Sequence, residues 1–226
     1  MKTNLFFFFL MIIVLFSACS KSIYNPKSPD YSPIVELTTD YGNIDIMLYA
    51  ATPKHRDNFV KLVKQGFYDS LLFHRVINNF MIQGGDPESK NAEPTKLLGG
   101  GGPGYTIPAE FVDSLIHIKG ALAAARMGDN VNPQKESSGS QFYIVQGQKV
   151  KPSLLTQMQS RNGINYSTEQ QKAYSELGGT PHLDGAYTVF GRVIKGLEVI
   201  DKIANVECNR SRPVKDVIMK IKIKKG

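Results

Sequence analysis

From residue 34 onward the chain is a series of short apolar runs cut off by turn-forming residues, and no packed fold is open to such a pattern without a sheet. "IVELTTDYGNIDIMLY" places two alternating runs around "TDYGN", which reads as a β-hairpin. "LLFHRVI", "FMIQGG", "HIKGALAAA", "SQFYIVQG", "YTVFGRVI" and "VIMKIKIK" read as further strands by the same period-2 rule. Only two stretches read as main helices. In "TPKHRDNFVKLVKQG", Thr52 is placed to cap, Pro53 suits the first turn and Gly66 is placed to end the helix. Phe59, Leu62, Val63 and Phe67 share one face of it. In "GLEVIDKIAN", Leu197, Ile200 and Ala204 are placed to face a core. Many short strands with two main helices point to a closed β-barrel with a helix over each end.

One stretch breaks the even spacing. Residues 148–181 separate "SQFYIVQG" from "HLDG", and we read them as an insertion. Within them "YSTEQQKAYSELGG" offers Ser167 as a cap, Gln170 three places on and Gly178 as a stop, which predicts a polar surface helix. A chain of 226 residues with 42% hydrophobic and 21% charged residues holds one domain with appendages.

The N-terminus is not part of that domain. Residues 5–16 are an unbroken apolar run, too short for a stable membrane-spanning helix and of signal-peptide length. Residues 1–18 are therefore expected to be a signal peptide. Ser17 and Ala18 precede Cys19, an order that resembles the bacterial lipobox, in which the cysteine becomes the lipid-bearing first residue. Phe16 stands where that motif usually has leucine. Cys19 is the expected lipidation site, and residues 19–33, polar and holding three prolines, the flexible tether to a domain over 34–226. The other cysteine, Cys208, has no cysteine partner in the mature chain. The net charge of +7 includes no dense basic run beyond "KIKIKK", whose alternation puts its lysines on the wet face of a strand. No nucleic-acid partner is expected.

"FHRVINNFMIQGGD", residues 73–86, sets an arginine in an apolar run. A buried guanidinium is costly unless paired. Arg75 either finds a carboxylate such as Glu110 or Asp86, or is held to meet a substrate. His74 beside it has no ligand partner at useful spacing and reads as structural. "LGGGGPG" lacks the lysine and hydroxyl residue of a phosphate-binding loop.

These residues resemble the cyclophilin family of peptidyl-prolyl cis/trans isomerases. "FHRVINNFMIQGGD" resembles its central signature, "GGGGPGYTIPAEF" its glycine-rich loop, "KGALAAAR" with "SGSQFYI" its next strands, and "HLDGAYTVFGRVIKGLEVIDKI" its final third. The resemblance covers about residues 34–224. It implies a mainly β fold, a closed eight-stranded antiparallel β-barrel capped by two α-helices. It also implies a site position by position: Arg75 and Gln83 as catalytic residues, and Phe80, Met81, Ala125, Gln141, Tyr143, His182, Leu183 and Tyr187 as substrate-binding ones. Four positions depart from the family's pattern. Arg126 replaces an asparagine, Tyr143 a phenylalanine, His182 a tryptophan and Tyr187 a histidine.

In function, the resemblance implies an isomerase that speeds X–Pro rotation in exported proteins. It would need no metal or cofactor and act as a monomer on proline-containing polypeptides; the residues before Cys19 add the expectation of a lipid anchor in a bacterial envelope. Ser20 after Cys19 resembles the outer-membrane sorting pattern, which puts the domain on the periplasmic side. The alternative is a non-catalytic module that holds proline segments as a chaperone or assembly factor.

Overall fold

The computed structural model describes residues 31–224. The signal peptide, Cys19 and the tether as far as residue 30 lie outside the described residues. β1 (Ile34–Thr39) and β2 (Gly42–Leu48) form the hairpin its alternation predicts, with Leu37 opposite Ile44. The Thr39 hydroxyl closes the turn, donating to the Gly42 carbonyl and accepting from the Tyr41 N–H, both at 3.1 Å. Next come α1 (Pro53–Lys64), β3 (Leu71–Leu72), β4 (Arg75–Ile77), β5 (Met81–Gly84) and the two-residue β6 (Thr106–Ile107). β7 (Ala121–Ala124), β8 (Ser137–Ser138) and β9 (Phe142–Val145) follow, then α2 (Pro152–Asn162) and α3 (Thr168–Glu176). β10 (Val189–Lys195), α4 (Leu197–Ala204), β11 (Cys208–Asn209), β12 (Arg212–Pro213) and β13 (Ile218–Ile223) complete the order.

The main sheet runs β3-β13-β1-β2-β10-β7-β9-β5-β4, and every neighbouring pair is antiparallel. This corrects the closed eight-stranded barrel with two helices: the ladder has nine strands, stays open between β3 and β4, and the described chain carries four α-helices. The reason lies in "LLFHRVI", which reads as one strand but changes partners in its middle. Leu71 and Leu72 pair with Met219 and Ile218, whereas Arg75–Ile77 pair with β5. Phe73 and His74 bridge the two halves, with the Phe73 N–H bonded to the Val217 carbonyl. The two sheet edges are thus neighbours in the chain, which requires the sheet to curl back on itself.

The concave face holds the core. Val35, Leu37, Ile44, Ile46, Leu48, Ile82, Leu122 and Ile144 expose no surface there. α1 adds Phe59, Leu62 and Val63, and α4 adds Val199, Ile200, Ile203 and Ala204; Phe67 and Leu197 pack at the margin. In β13 Met219 and Ile221 are buried while Lys220 and Lys222 are exposed, as alternation requires.

Two local expectations need correction. Thr52 sits at the N-cap of α1, but its hydroxyl makes no capping bond. The Glu110 carboxylate does that work from 55 residues away, accepting from the Lys54 N–H at 3.1 Å and the His55 N–H at 3.0 Å. It also accepts from His55 Nδ1 at 2.7 Å, and His55 Nε2 meets the Ser137 hydroxyl at 2.9 Å. The segment 148–181 holds two helices, not one. α3 has the expected capping box, with Ser167 and Gln170 bonded reciprocally. It is not merely a surface helix: Tyr174 is fully buried, and with Ile116, Val150, Leu155 and Tyr166 it forms a separate small core.

Burial raises the Glu110 pKa, but hydrogen bonds from the His55 ring and the two helix N–H groups outweigh it and hold the carboxyl below its usual 4.5. A depressed carboxylate contributes stability above 4.5 and loses it as pH falls through the folded value. Glu110→Gln is expected to lower the unfolding midpoint at neutral pH by roughly 2–6 °C. The gap from wild type should shrink as pH falls below 4.5 in thermal melts.

Candidate active site

The pleat sends alternate residues of β4, β5 and β9 to opposite faces. Val76, Ile82 and Ile144 go to the core, so their neighbours Arg75, Gln83 and Tyr143 emerge on the convex face. The register makes a row of them: Arg75 lies opposite Gln83, Gln83 opposite Tyr143, and Tyr143 opposite Ala123. An arginine in an apolar run is therefore an outward residue of a strand whose other face is buried. Asn79, at φ +61°, turns the chain between β4 and β5 and delivers Phe80 to the same face.

Arg75 has no ion pair to a carboxylate among the described residues; Glu110 serves α1, and Asp86 serves a loop. Its Nη1 donates to Gln83 Oε1 at 3.0 Å and lies 3.6 Å from the Met81 sulfur. The guanidinium carbon stands 5.8 Å from the Phe80 ring centre. Gln83 Nε2 then donates to Gln141 Oε1 at 3.1 Å, and Gln141 Nε2 donates to the carbonyls of Gly99 and Gly101. Arginine can only donate, so the amide directions along this chain are fixed from one end. Burial pushes the Arg75 pKa down from its ordinary value.

The double glycine that ends β5 is a packing requirement. A Cβ on Gly85, which has φ +89°, would come within 2.3 Å of the Ser140 carbonyl oxygen. Asp86 follows and accepts from the N–H groups of Gly99 at 2.6 Å and Gly101 at 3.2 Å, tying the glycine-rich loop to the end of β5.

Arg75, Phe80, Met81, Gln83, Ala125, Tyr143, Leu183 and Tyr187, together with Arg126, line one cavity of about 150 Å³. Met81 and Tyr143 are buried, and Phe80, Leu183 and Tyr187 are half-buried around it. The Tyr143 hydroxyl meets Nε2 of His117, a residue outside the lining, at 3.0 Å. Burial first, then the nearby Tyr187 and Asp184, push the Tyr143 pKa well above 10. The Tyr187 ring meets Tyr143 edge-on, with centroids 6.0 Å apart.

Two residues assigned to substrate binding lie beside the cavity and not in its wall. Gln141 lines the adjoining groove along the glycine-rich loop, not the cavity. His182 is exposed at the rim, its ring stacked on Phe80 with centroids 5.6 Å apart. Burial and the neighbouring His117 lower its pKa below 6.5. Arg126 is a lining residue that the sequence does not assign to the site. It stacks 4.5 Å over the Tyr187 ring and donates from Nε to the Ala186 carbonyl at 2.7 Å. An arginine directly after the apolar "ALAAA" is the signal that could have found it.

The site thus combines an unpaired cationic fork with an apolar slot. Residues 34–223 match the model of the cyclophilin type peptidyl-prolyl cis-trans isomerase family. A Staphylococcus haemolyticus protein named as a peptidyl-prolyl cis-trans isomerase is 36% identical over 197 residues, covering 86% of this chain and 92% of that protein. A Streptococcus pyogenes protein named as a bifunctional phosphatase/peptidyl-prolyl cis-trans isomerase is 40% identical over 191 residues. The match covers 83% of this chain but only 37% of that longer relative. The crystal structure of a cyclophilin type isomerase from Cryptosporidium parvum superposes with a TM-score of 0.63 at 27% identity. It covers 87% of this chain and 99% of that one. A second structure of the parasite protein, in the presence of the dipeptide Ala-Pro, gives a TM-score of 0.62 at 26% identity, covering 85% and 99%.

A guanidinium keeps its proton across the accessible pH range, and burial pushes the Tyr143 hydroxyl well above 10. Isomerisation of an Ala-Pro peptide is therefore expected to show a flat kcat/KM between about pH 7 and 9, without the bell shape of an acid–base pair. A protease-coupled or NMR exchange assay across that range checks it.

Proposed function

The chain belongs to the cyclophilin-type peptidyl-prolyl cis-trans isomerase family, and on that premise we propose how its own residues turn an X–Pro bond and where they do so. The observation that carries the reading is the guanidinium of Arg75, held by Gln83 and by no carboxylate among the described residues, at the edge of an apolar cavity.

Rotation about X–Pro is slow because amide resonance must be broken, with a barrier of about 18–20 kcal/mol. At the twisted transition state the prolyl nitrogen loses conjugation and regains a lone pair. A donor aimed at that nitrogen binds the transition state better than the ground state. Arg75 is that donor: always charged, rigid, and free of a competing anion. Gln83 holds its fork in direction. Phe80, Met81, Tyr143 and Leu183 clamp the proline ring, with Tyr187 at the edge and Ala125 beside the substrate backbone. Their apolar wall keeps water away and strengthens the arginine's hydrogen bond. Gln141 acts through the glycine-rich loop and Gln83, and His182 through the face of Phe80.

We further read residues 148–181 as an insertion on the family domain. We place the domain in a bacterial envelope, tethered by lipid on Cys19 and acting as a monomer on exported proteins. The apolar run and small residues before Cys19 support this. The parasite relative's structure with Ala-Pro supports proline-containing peptides as substrates.

Arg75→Ala is expected to lower kcat/KM by at least about a hundredfold with an unchanged circular dichroism spectrum. Near-normal turnover in that folded variant would overturn the mechanism. A wild type that binds proline peptides without speeding rotation would instead make the domain a binding module. Cys19→Ser is expected to release the full-length protein from sedimented membranes, because a multiply acylated cysteine anchors firmly. Complete retention of the variant in the membrane pellet would remove the lipid anchor.

A further inference from the structure

Asp184 is a buried carboxylate with four donors. Oδ1 accepts from the His117 N–H at 2.8 Å and from His117 Nδ1 at 2.7 Å. Oδ2 accepts from the hydroxyls of Tyr166 at 2.8 Å and Tyr174 at 2.5 Å. Nδ1 of His117 faces the carboxylate, so its Nε2 points the other way and meets the Tyr143 hydroxyl at 3.0 Å. The His117 and Tyr143 rings lie nearly parallel, 14° apart. Relative exposure is 0% for His117 and Tyr174, 4% for Tyr143, and 5% for Asp184 and Tyr166, so water does not substitute for any link.

The two ends of this chain belong to different parts of the molecule. Tyr166 and Tyr174 come from the segment 148–181 and line no part of the cavity. Tyr143 forms a wall of the cavity, and Asp184 directly follows Leu183, which forms another. Arg75 and Gln83 make no bond to any member of the chain; their bonds run the other way, to Gln141 and the glycine-rich loop. The apolar walls and the cationic donor are thus held by separate networks.

We infer that Tyr166 and Tyr174 are positioning residues for the proline pocket, so that residues 148–181 set how tightly the pocket grips its substrate. Removing their hydroxyls leaves Oδ2 of Asp184 buried without donors, which is costly enough to turn the carboxylate. His117 then loses its fixed direction, and the Tyr143 ring and Leu183 lose the contacts that hold them. The fault falls on the clamp, not on the donor. The inference rests on the proline-pocket reading of the cavity.

The test compares wild type with the Tyr166→Phe/Tyr174→Phe protein on a peptide with alanine before proline. KM is expected to rise roughly three- to tenfold while kcat changes less than about twofold. The ¹⁵N resonances of His117, identified by their loss in His117→Gln, are expected to shift in the same variant. In Tyr143→Phe, where the chain is already cut at the pocket, adding both tyrosine substitutions should raise KM by less than about twofold more. An unchanged KM in the folded double variant overturns the inference. So does a raised KM with unmoved His117 resonances, which would make the tyrosines packing groups only. If the double variant does not fold, Tyr166→Phe alone, which keeps the Tyr174 bond, is measured, and an unshifted His117 or unchanged KM in it counts equally against the proposal. A wild type that does not speed isomerisation refutes the activity instead, and the coupling is then decided by peptide Kd from NMR titration in place of KM.

Discussion

The pleat of three short strands is the constraint on which this molecule depends. β4, β5 and β9 each bury one face in the core and present the other to the site, so core and pocket share a backbone only one residue thick. Val76, Ile82 and Ile144 hold the register from inside. Because they cannot slip without exposing apolar surface, Arg75, Gln83 and Tyr143 cannot slip either. A site meant to hold a guanidinium beside an apolar ring takes its strand register from burial on the opposite face.

That arrangement also explains how an arginine stands partly buried without an anion. A carboxylate partner would stabilise the charge but would compete with a substrate for its donors. Gln83 offers one neutral acceptor, which directs the guanidinium while leaving other N–H groups of the fork for a ligand. The available carboxylates are committed elsewhere, Glu110 to the start of α1 and Asp86 to the glycine-rich loop. Gln141 extends the chain from Gln83 to that loop, so the loop and the donor are ordered together.

The far side of the pocket is built on different terms. There the polar atoms of Tyr143, His117, Asp184, Tyr166 and Tyr174 satisfy one another out of reach of water. Such a network is rigid when complete and costly when any member is lost. It turns a helical segment with its own small core into a support for the cavity wall. The substitution of a hydroxyl-bearing ring at Tyr143 thus does not make the slot polar, because its hydroxyl is bonded to His117, outside the lining.

Much of this was legible in the chain itself. Alternation along "IVELTTDYGNIDIMLY" determined the hairpin, the helical faces of α1 and α4 were correct, and the capping box of α3 was readable from Ser167 and Gln170. The motif "FHRVINNFMIQGGD" named four of the nine residues that line the cavity, Arg75, Phe80, Met81 and Gln83, because neighbours two apart in a strand share a face. What the sequence could not decide were bonds between residues far apart. Local rules favoured Thr52 as the cap of α1, yet Glu110 took the role; "LLFHRVI" reads as one strand, yet it changes partners at Phe73 and His74. His182 and Gln141 were assigned to substrate binding, but that one stands on the rim and the other on the adjoining groove is visible only in the folded chain. The union of Tyr174, Asp184, His117 and Tyr143 has no signature in the sequence at all. Periodicity fixes which face a residue takes within its own element, whereas which distant donor meets which buried acceptor is settled only when the elements pack and every polar group must find a partner.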